Sequence, residues 1–185
     1  MSDWFVMATA RNWVAAVVHQ GRRVMDLQAE DLKLDTDPEV FFAKARVKQM
    51  NPDFTHIEDH LFVATVHKSV EWIVEAHKRN LLEPELTAPF LVAADKARTV
   101  RNIREHYVEY LNGGGKQKKE NVVVINLDDG ESTASIDASS VFISPEGRLI
   151  GGRLNVQALM HQAEALHPQL FAQQEAIAKR DAQLR

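Results

Sequence analysis

Apolar positions recur at three- and four-residue intervals over much of the chain, and that spacing marks out its helices. From Asp3 to about Leu27, the positions Phe5, Ala8, Val14, Val17, Val18, Gly21, Val24 and Met25 trace one face of a long amphipathic helix. Asp35, Thr36 and Asp37 stand before Pro38, a cap followed by a proline suited to a first turn. Val40, Phe41, Ala45 and Val47 then predict a short second helix that Asn51-Pro52-Asp53 ends. A third helix is predicted from about Phe54 to Asn80, with Phe62, Val63, Val66, Val70, Ile73 and Val74 on one face. Pro89 opens a fourth, from about Phe90 to Leu111, carrying Ala93, Ala97, Val100, Ile103, Tyr107 and Leu111 and stopped by Asn112-Gly113-Gly114-Gly115. Apolar stripes joined by short connections predict an up-and-down helical bundle.

After the glycines the period changes. Asn121 to Leu127 is rich in β-branched residues, and Asp128-Asp129-Gly130-Glu131 is a turn signal. A second run from Thr133 to Ser144, the turn Ser144-Pro145-Glu146-Gly147 and a third run from Arg148 to Gly151 complete an antiparallel meander of about three strands. Such a sheet is marginal alone, so one side has to be covered. Asn155 caps a returning helix with Val156, Leu159, Met160, Ala163 and Leu166 at helical spacing, and Pro168 is expected to start a last one carrying Leu170, Phe171 and Ala178. The expected fold class is mainly α: a bundle over 1–112, a small β meander over 121–153 as an elaboration, and a helical tail over 155–185 packing back on the bundle. At 185 residues this is one domain.

Composition narrows the chemistry. Hydrophobic residues at 45% and charged residues at 26% are the proportions of an ordinary folded domain. Twenty-two Lys plus Arg against 26 Asp plus Glu leave a net charge of −4, so no global positive field holds a nucleic acid and any such contact is local. The absence of cysteine excludes disulfides, Cys-ligated zinc, iron–sulfur clusters and thiol nucleophiles. The opening residues place their basic groups after the apolar ones, the reverse of a secretory signal, and no apolar run approaches a membrane span. A soluble cytoplasmic protein with no membrane partner is expected.

Within the fourth helix lies Thr99-Val100-Arg101-Asn102-Ile103-Arg104-Glu105-His106-Tyr107, an arginine and a histidine four residues apart with a polar residue directly after the arginine. This resembles the HEPN superfamily, whose signature is Arg, four to six residues, then His, commonly with Asn, Asp or His following the Arg. Arg101, Asn102 and His106 match all three elements, on a late helix of a bundle ending in a glycine break. The resemblance covers residues 1–112 and does not include the β meander. It implies a metal-independent endoribonuclease needing no cofactor, of a kind found among toxins and defence proteins, whose site forms where two motif helices meet across a homodimer. It further implies RNA as substrate and an antitoxin or other protein as partner. Carried over by position, His106 acts as general base or acid, Arg101 holds the scissile phosphate and Asn102 orients it.

The residue types suit that chemistry. An imidazole exchanges protons at neutral pH, and a guanidinium stabilises charge building on a pentacoordinate phosphorus. At about 100° per residue, Arg101, Asn102, Glu105, His106 and Glu109 fall on one arc of about 140°, with Ala97, Val100, Ile103, Tyr107, Tyr110 and Leu111 opposite. The motif is therefore expected to face away from the core, toward RNA or a second subunit. Arg104 lies in the apolar arc, where it either snorkels or pairs with an acid such as Glu71 or Glu75.

Other constellations keep two further readings open. A HEPN-like scaffold without catalysis would be a nucleotide-binding or protein-interaction module. His56, His60, His67 and Glu71 share one stripe of the third helix, and the His56/His60 pair has the spacing of two metal ligands, which would make the protein a metal-binding bundle; structural histidines explain the same stripe. Gly113-Gly114-Gly115-Lys116-Gln117-Lys118-Lys119 lacks the order of a phosphate-binding loop but places Lys116, Lys118 and Lys119 where they could lend positive charge to RNA near the motif helix. Trp4, Trp13 and Trp72 are expected as core or interface anchors.

Overall fold

The computed structural model of the chain describes residues 1–31, 54–116, 121–126, 133–137, 140–144 and 147–183. Among them the helices are α1 (Asp3–Asp31), α2 (Thr55–Lys78), α3 (Pro84–Ala93), α4 (Ala97–Glu105), α5 (Tyr107–Leu111) and α6 (Val156–Gln183). The strands are β1 (Val122–Asn126), β2 (Thr133–Asp137), β3 (Val141–Ser144), β4 (Gly147–Ile150) and β5 (Leu154–Asn155). The protein is mainly α with small antiparallel sheets and a C-terminal helix, as the pattern predicts. The short helix expected around Val40 to Val47, and Lys118 and Lys119, lie outside the described residues.

α1 is the centre of the bundle. Val6, Ala10, Val14, Val17 and Val24 are fully buried along it, and it packs on α2 to one side and α6 to the other. Phe5, placed in this stripe by the sequence pattern, is instead 47% exposed and meets Trp72 edge-on at 6.1 Å. Its neighbours Val6 and Met7 fill the core in its place. Trp72 is half-buried against the core, whereas Trp4 stands 44% exposed. Gly21 lets three helices converge. A Cβ built there would lie 2.5 Å from Met160 of α6 and 3.2 Å from Phe62 of α2. Met160 can yield to a single methyl, but a branched side chain reaches Phe62 as well. Gly21→Val is therefore expected to cost about 1–3 kcal/mol of stability, more than Gly21→Ala, in urea denaturation; equal stability of the two variants would mean that the helices do not approach so closely.

The predicted fourth helix is three helices. Ala97 N–H donates to Ala94 C=O at 2.9 Å and Asp95 N–H to Val92 C=O at 3.3 Å, a tight turn between α3 and α4. The turn has a tertiary cause: α3 packs on α6, whereas α4 packs on α2, and one straight helix would not reach both. A second break falls at His106, which ends α4 and begins α5 with φ −107° and ψ 23°. The tail corrects in the opposite sense, since α6 runs straight through Pro168. Proline removes one donor to the carbonyl four residues back, that of Glu164. Both positions are exposed, so that carbonyl is open to solvent while Ala163, Leu166 and Leu170 stay buried. Asn155 caps α6 as expected, its Oδ1 accepting from Ala158 N–H at 2.9 Å.

The β region is two sheets where one meander is expected. β1 and β2 form an antiparallel hairpin pairing Val122 with Asp137 and Ile125 with Ala134, and β3, β4 and β5 form a second antiparallel sheet in that order. The run from Thr133 to Ser144 divides because Ser140 turns back on Asp137, its N–H on the carbonyl at 3.0 Å and its Oγ on Oδ2 at 2.9 Å. The second sheet is the covered one. β4 and β5 pack on α6, and Arg148 of β4 reaches across to α2, where its Nη2 meets Asp59 Oδ2 at 2.8 Å and Oδ1 at 3.0 Å. The Arg148 and Asp59 side chains are 4% and 1% exposed.

Candidate functional site

Arg101 and Asn102 project from α4 and His106 stands at the α4–α5 junction, on the solvent side as the helical arc predicts. Val100 and Ile103, on the other side, are fully buried. His106 Nδ1 lies 3.0 Å from Glu109 Oε1, and both side chains are more than half exposed. A carboxylate on Nδ1 holds the imidazole with its other nitrogen available, the arrangement by which acid–base histidines are oriented. Arg101 pairs with Glu105, Nη2 to Oε2 at 2.9 Å, and its Nε is buried with no hydrogen-bond partner among the described residues. The break at His106 separates the two groups: Arg101 sits within a regular helix, and His106 does not.

Arg101 and Asn102 line a cleft of about 830 Å³ between α2 and the α3–α4 segment. α2 contributes His67, Val70, Glu71 and Val74, one stripe of its surface, and Leu91, Ala94, Asp95, Ala97 and Arg98 lie on the α3–α4 side. His106 is not among the lining residues. One end of the cleft is cationic and the other apolar, with Val74 39% exposed. Each carboxylate there is already engaged. Glu71 Oε2 holds Lys68 Nζ at 2.6 Å and Oε1 holds His67 Nε2 at 3.2 Å, Asp95 Oδ2 holds Lys96 Nζ at 2.7 Å, and Glu105 holds Arg101. Arg98 is exposed, with no ion pair to a described residue.

Arg104 is buried as its place in the apolar arc predicts, but neither Glu71 nor Glu75 is its partner. Its Nη2 donates to the His56 carbonyl at 2.9 Å and meets His56 Nδ1 at 3.2 Å. Glu75 instead pairs with Arg79 at 2.9 Å. Burial pulls the Arg104 guanidinium below its ordinary range, with Asp59 opposing that shift. The contact also places a cation against His56, one of the two metal-ligand candidates. Among the described residues no group of three or more His, Asp or Glu side chains is close enough to hold a metal ion. Lys116 is exposed just beyond α5, and the glycine break behaves as a helix stop, with Gly113 N–H donating to Tyr110 C=O at 3.0 Å and Gly114 N–H to Glu109 C=O at 2.9 Å.

Among the described residues, two histidines and two carboxyl groups give the stability a pH dependence. Burial lowers His60 and His67 below the ordinary 6.5, and nearby arginines push the same way. Arg23 holds the Glu58 carboxyl, and Lys68 the Glu71 carboxyl, below 4.5. For the histidines the unfolded chain binds more protons than the fold just below pH 6.5, so their contribution is complete above that value and is lost as pH falls through the lower folded values. The carboxylates contribute above pH 4.5 and lose that contribution on further acidification. The melting temperature is therefore expected to fall in two stages, first below about pH 6.5 and again below about pH 4.5, with His67→Gln flattening chiefly the first stage. A flat profile from neutrality to about pH 5 would show that the imidazoles are not desolvated.

The cleft is the part of the site that sequence patterning missed. His67 and Glu71 share a stripe of one helix and Arg101 and Asn102 belong to the motif on another, yet nothing in either helix alone says that the two face each other, and Arg98 carries no sequence signal of its own. No family model, curated protein or solved structure compared with this chain matches it.

Proposed function

We propose that the chain is a HEPN-like, metal-independent endoribonuclease, with Arg101 of one copy and His106 of a second forming each site across a homodimer. The observation that carries the reading is the Glu109–His106 contact, which holds Nδ1 and leaves Nε2 without a hydrogen bond among the described residues. Nε2 takes the proton of a ribose 2′-hydroxyl, the 2′-oxygen attacks phosphorus, and the phosphorus bond to the 5′-oxygen breaks. The imidazolium returns the proton to that leaving oxygen. The products are a 2′,3′-cyclic phosphate and a 5′-hydroxyl, and the substrate supplies its own nucleophile. Arg101 stabilises the charge on the phosphoryl oxygens. Its present partner Glu105 is a half-exposed i, i+4 neighbour of the kind worth about 0.3–0.5 kcal/mol, readily exchanged for a phosphate.

End-labelled RNA incubated in EDTA with the wild type and with Arg101→Ala/His106→Ala tests the reading. Cyclic-phosphate ends from the wild type and none from the variant support it. Equal results from the two proteins would remove the motif as a catalytic site and leave a binding module on the same scaffold.

A further inference from the structure

We propose that the cleft between α2 and α4 is a binding site for a nucleoside monophosphate, with the phosphate held by Arg98, Arg101 and Asn102 and the base laid on Val70, Val74 and Leu91. The proposal shares two residues with the nuclease reading and stands without it, because it calls for binding and no bond is broken. At about 830 Å³ the cleft has the capacity of small-ligand sites and is formed without rearrangement of the helices. Its two ends differ in the way such a ligand differs along its length.

At the polar end, two guanidiniums and a carboxamide offer donors and no acid competes unengaged. Glu71, Asp95 and Glu105 each have a cation within 2.9 Å, so Arg98 is the surplus charge. Arg101 Nε has no partner among the described residues, and a buried donor left unmatched is costly until a ligand or water meets it. Guanidinium donors match phosphate oxygens in geometry as well as charge. His67 forms the wall beside them, 7% exposed and fixed by Glu71, and burial keeps it neutral at neutral pH so that it does not add to the charge. At the other end Val74 is an aliphatic side chain 39% exposed and Val70 is half-buried, on a helix whose remaining valines, Val63 and Val66, are fully buried. A flat base covering Val70, Val74 and Leu91 removes that apolar surface from water.

A free nucleotide and the phosphorylated end of an RNA strand present the same chemistry. Calorimetric titration of the full chain with inorganic phosphate, adenosine, adenosine 5′-monophosphate and a 5′-phosphorylated oligonucleotide separates them. The monophosphate is expected to bind more tightly than phosphate or adenosine. Arg98→Ala is expected to weaken phosphate and monophosphate together by about tenfold, the value of one charge-assisted contact. Val74→Ser is expected to weaken the monophosphate and leave inorganic phosphate unchanged; both positions are exposed, and unaltered thermal melting confirms that the variants fold. Tighter binding of the oligonucleotide supports the site with an RNA end as its occupant. Absence of monophosphate binding at millimolar concentration, or affinity unchanged in both variants, overturns the proposal. His106→Ala is expected to lose RNA cleavage and keep monophosphate affinity; a wild type that binds the monophosphate and cleaves no RNA is a failure of the nuclease reading alone, and a wild type that cleaves RNA without binding the monophosphate is a failure of this one alone.

Discussion

Asp59→Ala is expected to lower the free energy of unfolding by about 3–5 kcal/mol, a large share of the stability of a domain of this size. The substitution leaves Arg148, 4% exposed, as an uncompensated charge between α2 and β4. It also removes the carboxylate whose charge does most to support the buried guanidinium of Arg104 against its repulsion by Arg148. Urea denaturation reads the effect as a lower midpoint at constant slope. Asp59→Asn keeps the shape and part of the hydrogen bonding, and is expected to fall between wild type and Asp59→Ala. The double variant Asp59→Leu/Arg148→Met is expected to recover most of the loss, since replacing both members of a buried pair by apolar groups is far less costly than removing one. A shift of less than about 0.5 kcal/mol for Asp59→Ala would mean that the pair is not sequestered in solution.

His106→Ala is expected to reduce RNA cleavage by about 10²–10⁴-fold, the range for removing a positioned proton-transfer group, and Arg101→Ala by about 10²–10³-fold, the range for removing a donor to developing charge. Mixing the two inactive proteins tests more than either alone. If each site takes Arg101 from one copy and His106 from the other, a mixed dimer holds one site with both residues altered and one with both intact. Random exchange of subunits then returns about one quarter of wild-type activity, half of the dimers being mixed and each having one working site of two. If both residues act within one copy, every site in the mixture is defective and activity stays at background. Cleavage unaffected by either single substitution would remove the motif from the chemistry altogether. Glu109→Gln belongs to the same series as a positioning residue: it is expected to lower the turnover number while leaving KM near wild type, because Glu109 contacts the imidazole and not the substrate.

The long helices were legible because burial imposes a period. Val14, Val17 and Val24 on α1, and Phe62, Val63, Val66 and Ile73 on α2, stand where spacing places them and are fully buried. The breaks were not legible. Nothing in Ala94-Asp95-Lys96 forbids a helix, and the turn exists because α3 and α4 have different neighbours. Pro168 misled for the converse reason, since local chemistry suggests a stop and packing on either side carries the helix through. Asp59 and Arg148 are 89 residues apart, and no pattern in either segment names the other. The site divides along the same line. Arg101, Asn102 and His106 could be picked out by their spacing, whereas the cleft that receives Arg101 is a property of two surfaces meeting.

The central place of α1 has a bearing on how the protein is made. α1 is synthesised before α2, and α6, which covers the other flank of α1, begins only at Val156. Until those last turns are synthesised, the nascent chain carries an open hydrophobic flank on its central helix, and Asp59 has no Arg148 to meet. Assembly of the core thus waits for the synthesis of α6. A chain stalled before residue 156 would be a substrate for chaperones or proteases, where an N-terminal domain complete in itself would already be folded.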